Sequence, residues 1–488
     1  LQHPRFGMFF AVLINIQGID IMLEFEVKGM YGQTETEFRR RIEDQYAIKR
    51  KRSRALHLDA CNYMPGGDTR TATYFDPFPH YIERGEGAYI YDVDGNKLLD
   101  FQNNYTSLIH GHAHKPTVDA VREQIALGSA YTAPFELQTD LAKLLVERFP
   151  GLDLVRFTNS GTEANMHALR IARAFTGKTK IIKTEGGYHG TTDVFEASVD
   201  PNLKKAGNLD KIKVIPESRG VSKNALKDVI VTPFNDVERT KKIIEENYKE
   251  VACLIIEPVM GSAGQITPLS EYLKAVRELT ERYGILLIFD EVVTGRLSYG
   301  GAQELYGITP DITSLGKIIG GGTPVGAFGG REDIMKLYDP REKKMYHSGT
   351  FNGNAVTMAA GVATMTAYDR SAVAYVNELG DRFRAGLCAL VEKMGLRIQI
   401  NGIGSLYNTV FTDKPVISYR DMASSYEDLN QLLYMVLLTK GVFIAPRGMF
   451  CMSTAMKPKD IDFGLRKTEE ALEEMRPVIG EKAPELLI

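Results

Sequence analysis

Two hydrophobic rhythms alternate along the chain after Gly111. DAVREQIALGS, QTDLAKLLVERF and EANMHALRIARAF carry apolar residues every three or four positions, the period of a helix with one buried stripe. Between such segments lie LVRFTNS, TKIIKTEG, VACLIIEP and GILLIFDE, which read as strands. The last two are continuous apolar runs, as expected of strands covered on both faces. SEYLKAVRELTERYG separates them and places Leu273, Val276 and Leu279 at helical spacing. Strand, helix, strand in succession predicts a crossover, and hence an α/β fold on a mainly parallel sheet.

The flanks read differently. From about Thr34 to Ala60 the chain is charged and helix-compatible, and its run KRKRSR reads as a solvated face. A Gly- and Pro-rich connection, MPGGDTRTATYFDPFPH, follows. YIERGEGAYIYDVDGNKLLDF then reads as two strands on either side of an Asp94-Gly95 turn. Beyond about Tyr368 come long amphipathic helices with intervening strands. The expected organisation is a large domain over 111–367 and a smaller α+β domain drawn from 31–110 and 368–488. Residues 1–30 are expected to be a disordered or misassigned extension, with Met22 or Met30 the more natural start. The apolar run Met8 to Ile14 is far short of the ~20 residues that span a bilayer.

Bulk composition narrows the classes. The chain has 488 residues, 44% hydrophobic and 25% charged, which is ordinary for a globular protein. A formal net charge of −3 offers no field for nucleic acid or an anionic membrane. Cys61, Cys253, Cys388 and Cys451 match no metal or disulfide spacing, so no metal and a cytoplasmic setting are expected.

Three groups fall where predicted strands end, the place where ligands sit in open parallel sheets. Ser160, Gly161 and Thr162 open a helix, and backbone N–H groups with the helix dipole favour a phosphate there. A plain N-cap suits the same residues. Asp290 closes a buried strand, and a carboxylate so placed needs a partner; a protonated pyridine nitrogen or a structural ion pair would serve. Lys317 precedes Ile318, Ile319 and Gly320 to Gly322, and an amine in apolar surroundings becomes a nucleophile and base. Tyr188 can lie against a flat ring or belong to the core. Thr350 can reach a phosphate, and Glu257 ends another strand in a supporting position.

The motifs RFTNSGTEAN, GGYHG, IFDEVVTGR, TSLGKIIGGG and SGTFNGN stand in this order. With them the chain, from about Met64 to its end, resembles the class III aminotransferases, fold type I enzymes of pyridoxal 5′-phosphate (PLP). The resemblance implies Lys317 as the Schiff-base lysine and Asp290 as the partner of the pyridine nitrogen. It also implies Ser160, Gly161 and Thr162 at the phosphate, Tyr188 on the ring and Val292 beneath it. Thr350 would serve the neighbouring subunit, which implies a homodimer with shared sites.

Within the class, PGG, DVDGN, YHG and GGGTPVGAFGG resemble glutamate-1-semialdehyde aminomutases. PGGDTRT, DPFP, RGEGA, NYTSLIHGH and APRGMF resemble β-amino-acid (β-phenylalanine) transaminases. The second set contains Arg70 and Arg447, which match the arginines such transaminases use for substrate carboxylates. The aminomutases lack an arginine at the place of Arg447. The expected reaction is therefore transfer of the amino group of a β-amino acid to 2-oxoglutarate or pyruvate. The aminomutase and a transaminase of D-α-amino acids such as phenylglycine are the alternatives.

Overall fold

The segments with strand rhythm form one seven-stranded sheet. In the computed structural model, which describes residues 11–16, 19–24 and 33–488, these strands are β1 (Leu154–Thr158), β2 (Lys180–Thr184), β3 (Val229–Thr232), β4 (Val251–Ile256), β5 (Leu286–Asp290), β6 (Ile312–Gly316) and β7 (Gly326–Gly330). Their order across the sheet is β1-β7-β6-β5-β4-β2-β3. Strands β2 to β6 run parallel, and β7 is antiparallel to both of its neighbours. Every residue of β4, β5, β6 and β7 is buried.

Helices cover both faces, which explains the continuous apolar runs. Ala164, Ala168 and Ile171 of helix Gly161–Thr176 pack with Ile255 and Ile288 on one face. Leu273, Val276 and Leu279 of helix Tyr272–Tyr283 pack with Leu254 and Leu287 on the other. β7 (GAFGG) has no strand-like pattern, because its glycines serve close approach: a Cβ on Gly326 would lie 2.0 Å from the Ser160 carbonyl oxygen. The carboxyl ends of β1, β2, β4, β5 and β6 therefore open on one crevice beside that turn.

Outside this sheet, YIERGEGAYIYDVDGNKLLDF forms three strands where two were expected. Ile82–Glu86 and Tyr89–Asp92 are separate, joined through Gly87 at φ 56°. Tyr89–Asp92 pairs antiparallel with Lys97–Asp100 across the Asp94-Gly95 turn, and Val442–Phe443 adds in parallel to Lys97–Asp100. A three-stranded sheet of Gln399–Ile403, Leu406–Val410 and Met449–Cys451 accompanies helices Arg370–Lys393, Glu427–Thr439 and Pro458–Lys482. Ala11–Ile16 and Ile19–Glu24 pair as a hairpin, and the rest of the expected N-terminal extension lies outside the described residues. Among the described residues no helix is long and apolar enough to cross a membrane, and no group of side chains suits a metal ion.

The run KRKRSR is not solvated throughout. It straddles the break between helices Gln33–Ile48 and Lys51–Ala60. At that break Arg50 turns inward, 1% exposed, with Nε 3.0 Å from Asp92 Oδ2 and its guanidinium 4.4 Å from the centre of the Tyr46 ring. Removing one member of such a pair strands the other charge, at a cost of about 3–5 kcal/mol. Arg50→Ala should therefore lower the urea midpoint of unfolding markedly, whereas Lys51→Ala, at an exposed position, should leave it nearly unchanged.

Candidate active site

Asp290 ends β5 at the floor of the crevice, 4% exposed. Its Oδ2 accepts hydrogen bonds from Asn165 Nδ2 (2.7 Å) and His189 Nδ1 (2.9 Å), and its Oδ1 accepts one from Val292 N (3.1 Å). Among the described residues no lysine or arginine lies within 4.0 Å of it. Burial lowers the pKa of His189 more than the bond to Asp290 raises it, and the charge of Lys183 lowers it further. The imidazole is therefore neutral near pH 7, donating from Nδ1, while its buried Nε2 has no partner. Asp290 is thus surrounded by neutral donors, and a cationic ring nitrogen would suit the open side of its carboxylate. Asn165 and His189 were not singled out in the sequence. Yet Asn165 lies one helical turn from Gly161, and His189 follows Tyr188.

Lys317 begins the turn after β6. Its φ of 50° is left-handed, a strained state for a residue with a Cβ, worth about 1–3 kcal/mol. Burial lowers the pKa of its amine, against the fields of Asp290 and Glu257, which raise it. Glu257, 3% exposed at the end of β4, accepts from Tyr188 N (2.9 Å) and Gly261 N (3.1 Å). Burial and the neighbouring Asp290 push its carboxyl up to about 7. Glu257 thus anchors the turn that carries Tyr188, whose side chain is exposed to the crevice. Val292 wedges between two glycines: a Cβ on Gly161 would lie 3.0 Å from its Cγ2, and one on Gly316 would lie 3.3 Å from its Cγ1.

Ser160 caps helix Gly161–Thr176, its hydroxyl accepting from Glu163 N at 3.2 Å. Glu163 reaches back to Asn159 N at 2.7 Å. The capping reading of Ser160 is therefore correct, and it leaves the N–H groups of Gly161 and Thr162 without intrahelical acceptors, facing the crevice end of the sheet. Gly190 closes on this turn at φ 96°, and a Cβ there would meet Thr162 Oγ1 at 2.4 Å and Thr162 Cα at 2.7 Å. Thr350 is exposed; its loop docks through Asn352 Oδ1, which accepts from Asn159 Nδ2 at 2.7 Å.

The two arginines sit at the rim, both exposed. Arg70 Nη1 donates to Asn104 Oδ1 (3.0 Å), and Arg447 Nη1 donates to the Ser262 carbonyl (3.2 Å). Among the described residues neither has a carboxylate within 4.0 Å. Both charges pull down the Tyr105 hydroxyl, which burial pushes up, so the fields of both guanidinium groups reach one tyrosine. The field of Arg447 also reaches Lys317 and Tyr188. Tyr105 lies in a run of four left-handed residues, Asn103 to Thr106, at φ 47°, 48°, 51° and 75°. Asp100 Oδ1 holds that run by accepting from Gln102 N and Asn103 N.

A crevice of this make-up is matched by the family model for class-III aminotransferases, over residues 71–468. The chain belongs to that family. It is 40% identical over 434 residues to the glutamate-1-semialdehyde 2,1-aminomutase of Methanocaldococcus jannaschii, covering 88% of this chain and 99% of that one. Among solved structures it is similar to an ω-transaminase from Sphaerobacter thermophilus, with TM-score 0.83, 40% identity, and 87% and 98% of the two chains covered. A β-phenylalanine aminotransferase from Variovorax paradoxus gives TM-score 0.83 and 37% identity over 91% and 98%. The cofactor of the family is PLP, which a similar transaminase structure holds. The residues fit it: a buried carboxylate lacking a cation, a glycine-lined wedge for a flat ring and an open helix N-terminus for a phosphate.

Because Gly190 is both left-handed and in near contact with backbone, Gly190→Ala should destabilise the protein by about 1–3 kcal/mol. Urea unfolding of the apoprotein should register the loss, and Gly177→Ala, left-handed with open space around it, should cost less.

Proposed function

We propose that this enzyme is a transaminase that moves the amino group of a β-amino acid to a 2-oxo acid, with Lys317 and Asp290 as its catalytic residues. The observation that carries this reading is the pair of rim arginines, Arg70 and Arg447, without carboxylate partners beside the lysine. A dicarboxylic acceptor such as 2-oxoglutarate presents two carboxylates, and the planar guanidinium fork is the best receptor for each. An aromatic donor brings only one, and the exposed Arg447 can then remain in solvent without the cost of an unpaired buried charge.

When bound, PLP supplies an electron-withdrawing ring that makes the proton on the substrate's amine-bearing carbon acidic. Lys317 is the attachment point for its aldehyde. The amine of Lys317, its pKa lowered by burial, would take that proton from the substrate carbon and deliver it to a different carbon, as amino transfer requires. Asp290 keeps the ring nitrogen protonated, with Asn165 and His189 fixing its orientation. Tyr188 and Val292 would hold the ring, and Ser160, Gly161 and Thr162 would receive the phosphate. Thr350, exposed on its loop, is assigned to the phosphate of a second copy in a homodimer.

A second reading is favoured by the names of the curated relatives, which are glutamate-1-semialdehyde aminomutases at about the same identity. That isomerisation needs no external acceptor. A panel of β-phenylalanine, β-alanine, 3-aminobutyrate, D-phenylglycine and glutamate-1-semialdehyde, each with and without 2-oxoglutarate, separates the two. Activity with a β-amino acid that stops without acceptor is the expected outcome. Turnover of the semialdehyde alone, with none of any β-amino acid, would make the enzyme an aminomutase.

Lys317→Ala should abolish turnover in every case, and near-normal turnover would remove the lysine from its role. Arg447→Met should weaken 2-oxoglutarate by roughly 10- to 150-fold in kcat/KM, the worth of a charged hydrogen bond of about 1.5–3 kcal/mol. Its effect on the half-reaction with β-phenylalanine should be much smaller, as single-turnover kinetics can measure.

A further inference from the structure

Lys183 is 0% exposed on β2, one strand in from the edge of the sheet, among the largest fully buried side chains of the described residues. Its Nζ donates to the carbonyl oxygens of Gly187 (2.8 Å) and Ala197 (2.5 Å). Among the described residues no carboxylate lies within 4.0 Å of it. A buried ammonium with no counter-ion is expensive, and burial pushes this amine down to about 7, although Glu257, Glu217 and Glu185 oppose the shift. Such a cost persists where the group does something that an apolar residue of the same length would not.

The two carbonyls bound by Lys183 bracket the segment from Gly187 to Ala197. Its first residues are those that meet the site: Tyr188 hangs from Glu257, His189 donates to Asp290, and Gly190 packs against Thr162. The same turn has other anchors. Arg420 grips Glu185 with two bonds of 2.7 and 2.9 Å, and Gly186 N donates to the Ser198 carbonyl at 2.9 Å. The Gly186–Ser198 bond joins the same two ends one residue further out, and Lys183 adds a side-chain tie between Gly187 and Ala197, the pair nearer the site. Without that amine, two buried carbonyls would lose their donor at once.

We propose that Lys183 is a positioning residue for the cofactor ring: by clipping Gly187 and Ala197 together it sets the height of Tyr188 and the line of the His189–Asp290 bond relative to Lys317. The proposal rests on the reading that the ring lies between Tyr188 and Val292 with its nitrogen at Asp290. A side chain that fixes supporting groups in this way acts on cofactor affinity and orientation before any substrate arrives.

The test uses Lys183→Met, which keeps length and volume, and Lys183→Gln, which keeps one neutral donor. Each apoprotein is titrated with PLP, and the visible circular dichroism of the bound cofactor is recorded without substrate. For Lys183→Met the dissociation constant should rise by at least about tenfold, with a weakened or inverted dichroic band. Lys183→Gln should fall between it and wild type. A smaller rise, or an unchanged band, would overturn the proposal. If neither variant folds, Lys183 belongs to the fold alone and the proposal is equally lost. If wild-type apoprotein itself bound no PLP, the fault would lie with the cofactor reading and not with Lys183.

Discussion

A carboxylate buried at the end of a strand without a cation beside it is the constraint on which this site depends. Asp290 accepts hydrogen bonds from Asn165, His189 and the backbone of Val292, and among the described residues no lysine or arginine lies within 4.0 Å of it. Asn165 and His189 share one of its oxygens, and the imidazole, its pKa lowered by burial, donates there as a neutral group. Glu257, a short way off, bears the consequence: two carboxyls in one buried space do not both ionise easily, and Glu257 is the one pushed towards neutrality. A positive ring nitrogen bound at Asp290 would add a charge partner to these neutral donors. PLP, the cofactor of the family, brings such a nitrogen, and the polar groups of this crevice suit it.

Strain collects around the same crevice. Lys317 and the four residues Asn103 to Thr106 all adopt left-handed backbone, and none is glycine. A left-handed step at Lys317 turns the chain sharply out of β6, so the amine leaves the sheet at its carboxyl edge. The left-handed turn before Ser107 brings the Tyr105 hydroxyl to the Ala72 carbonyl at 2.7 Å, within the fields of Arg70 and Arg447. Its conformation survives because Asp100 and Asn103 tie it down from both sides, Asn103 Nδ2 reaching the Asp100 and Cys451 carbonyls. Backbone energy is spent where groups must point into one volume, and rigid sheet supplies the counterforce.

Much of this was legible in the residues. Strands β4 and β5 announce themselves as apolar runs because both faces are covered, and the helix between them repeats with the right period. Lys317, Asp290 and the Ser160 turn could be singled out because each places a reactive type where a strand ends. The illegible parts share one physical reason, which is that tertiary neighbours set them. β7 is a strand because glycine lets it press on Ser160, and no hydrophobic pattern records that. Arg50 is buried because a helix break turns it towards Asp92, so a charge run that reads as solvent-facing conceals an internal ion pair. Lys183 sits in KIIKT as if it were an ordinary polar flank, since nothing local says that its partners are carbonyls four and fourteen residues away.

The choice between transaminase and aminomutase turns on charge at the rim and not on the lysine, which serves both. An intramolecular exchange handles one substrate with one carboxylate, so a single receptor suffices. Exchange between two molecules must accept a dicarboxylate in one half of the cycle and release a hydrophobic partner in the other. One receptor must therefore tolerate being empty. Arg447 meets that demand: it is exposed, it donates to a main-chain carbonyl that holds it loosely, and the following residue, Gly448, has φ 86°. Arg70 differs, since its contact is the side chain of Asn104 within the strained turn, so its position is tied to that of Tyr105. In the proposed transaminase, Arg70 would be a receptor fixed by strained backbone and Arg447 one free to leave, an asymmetry that suits two-substrate chemistry.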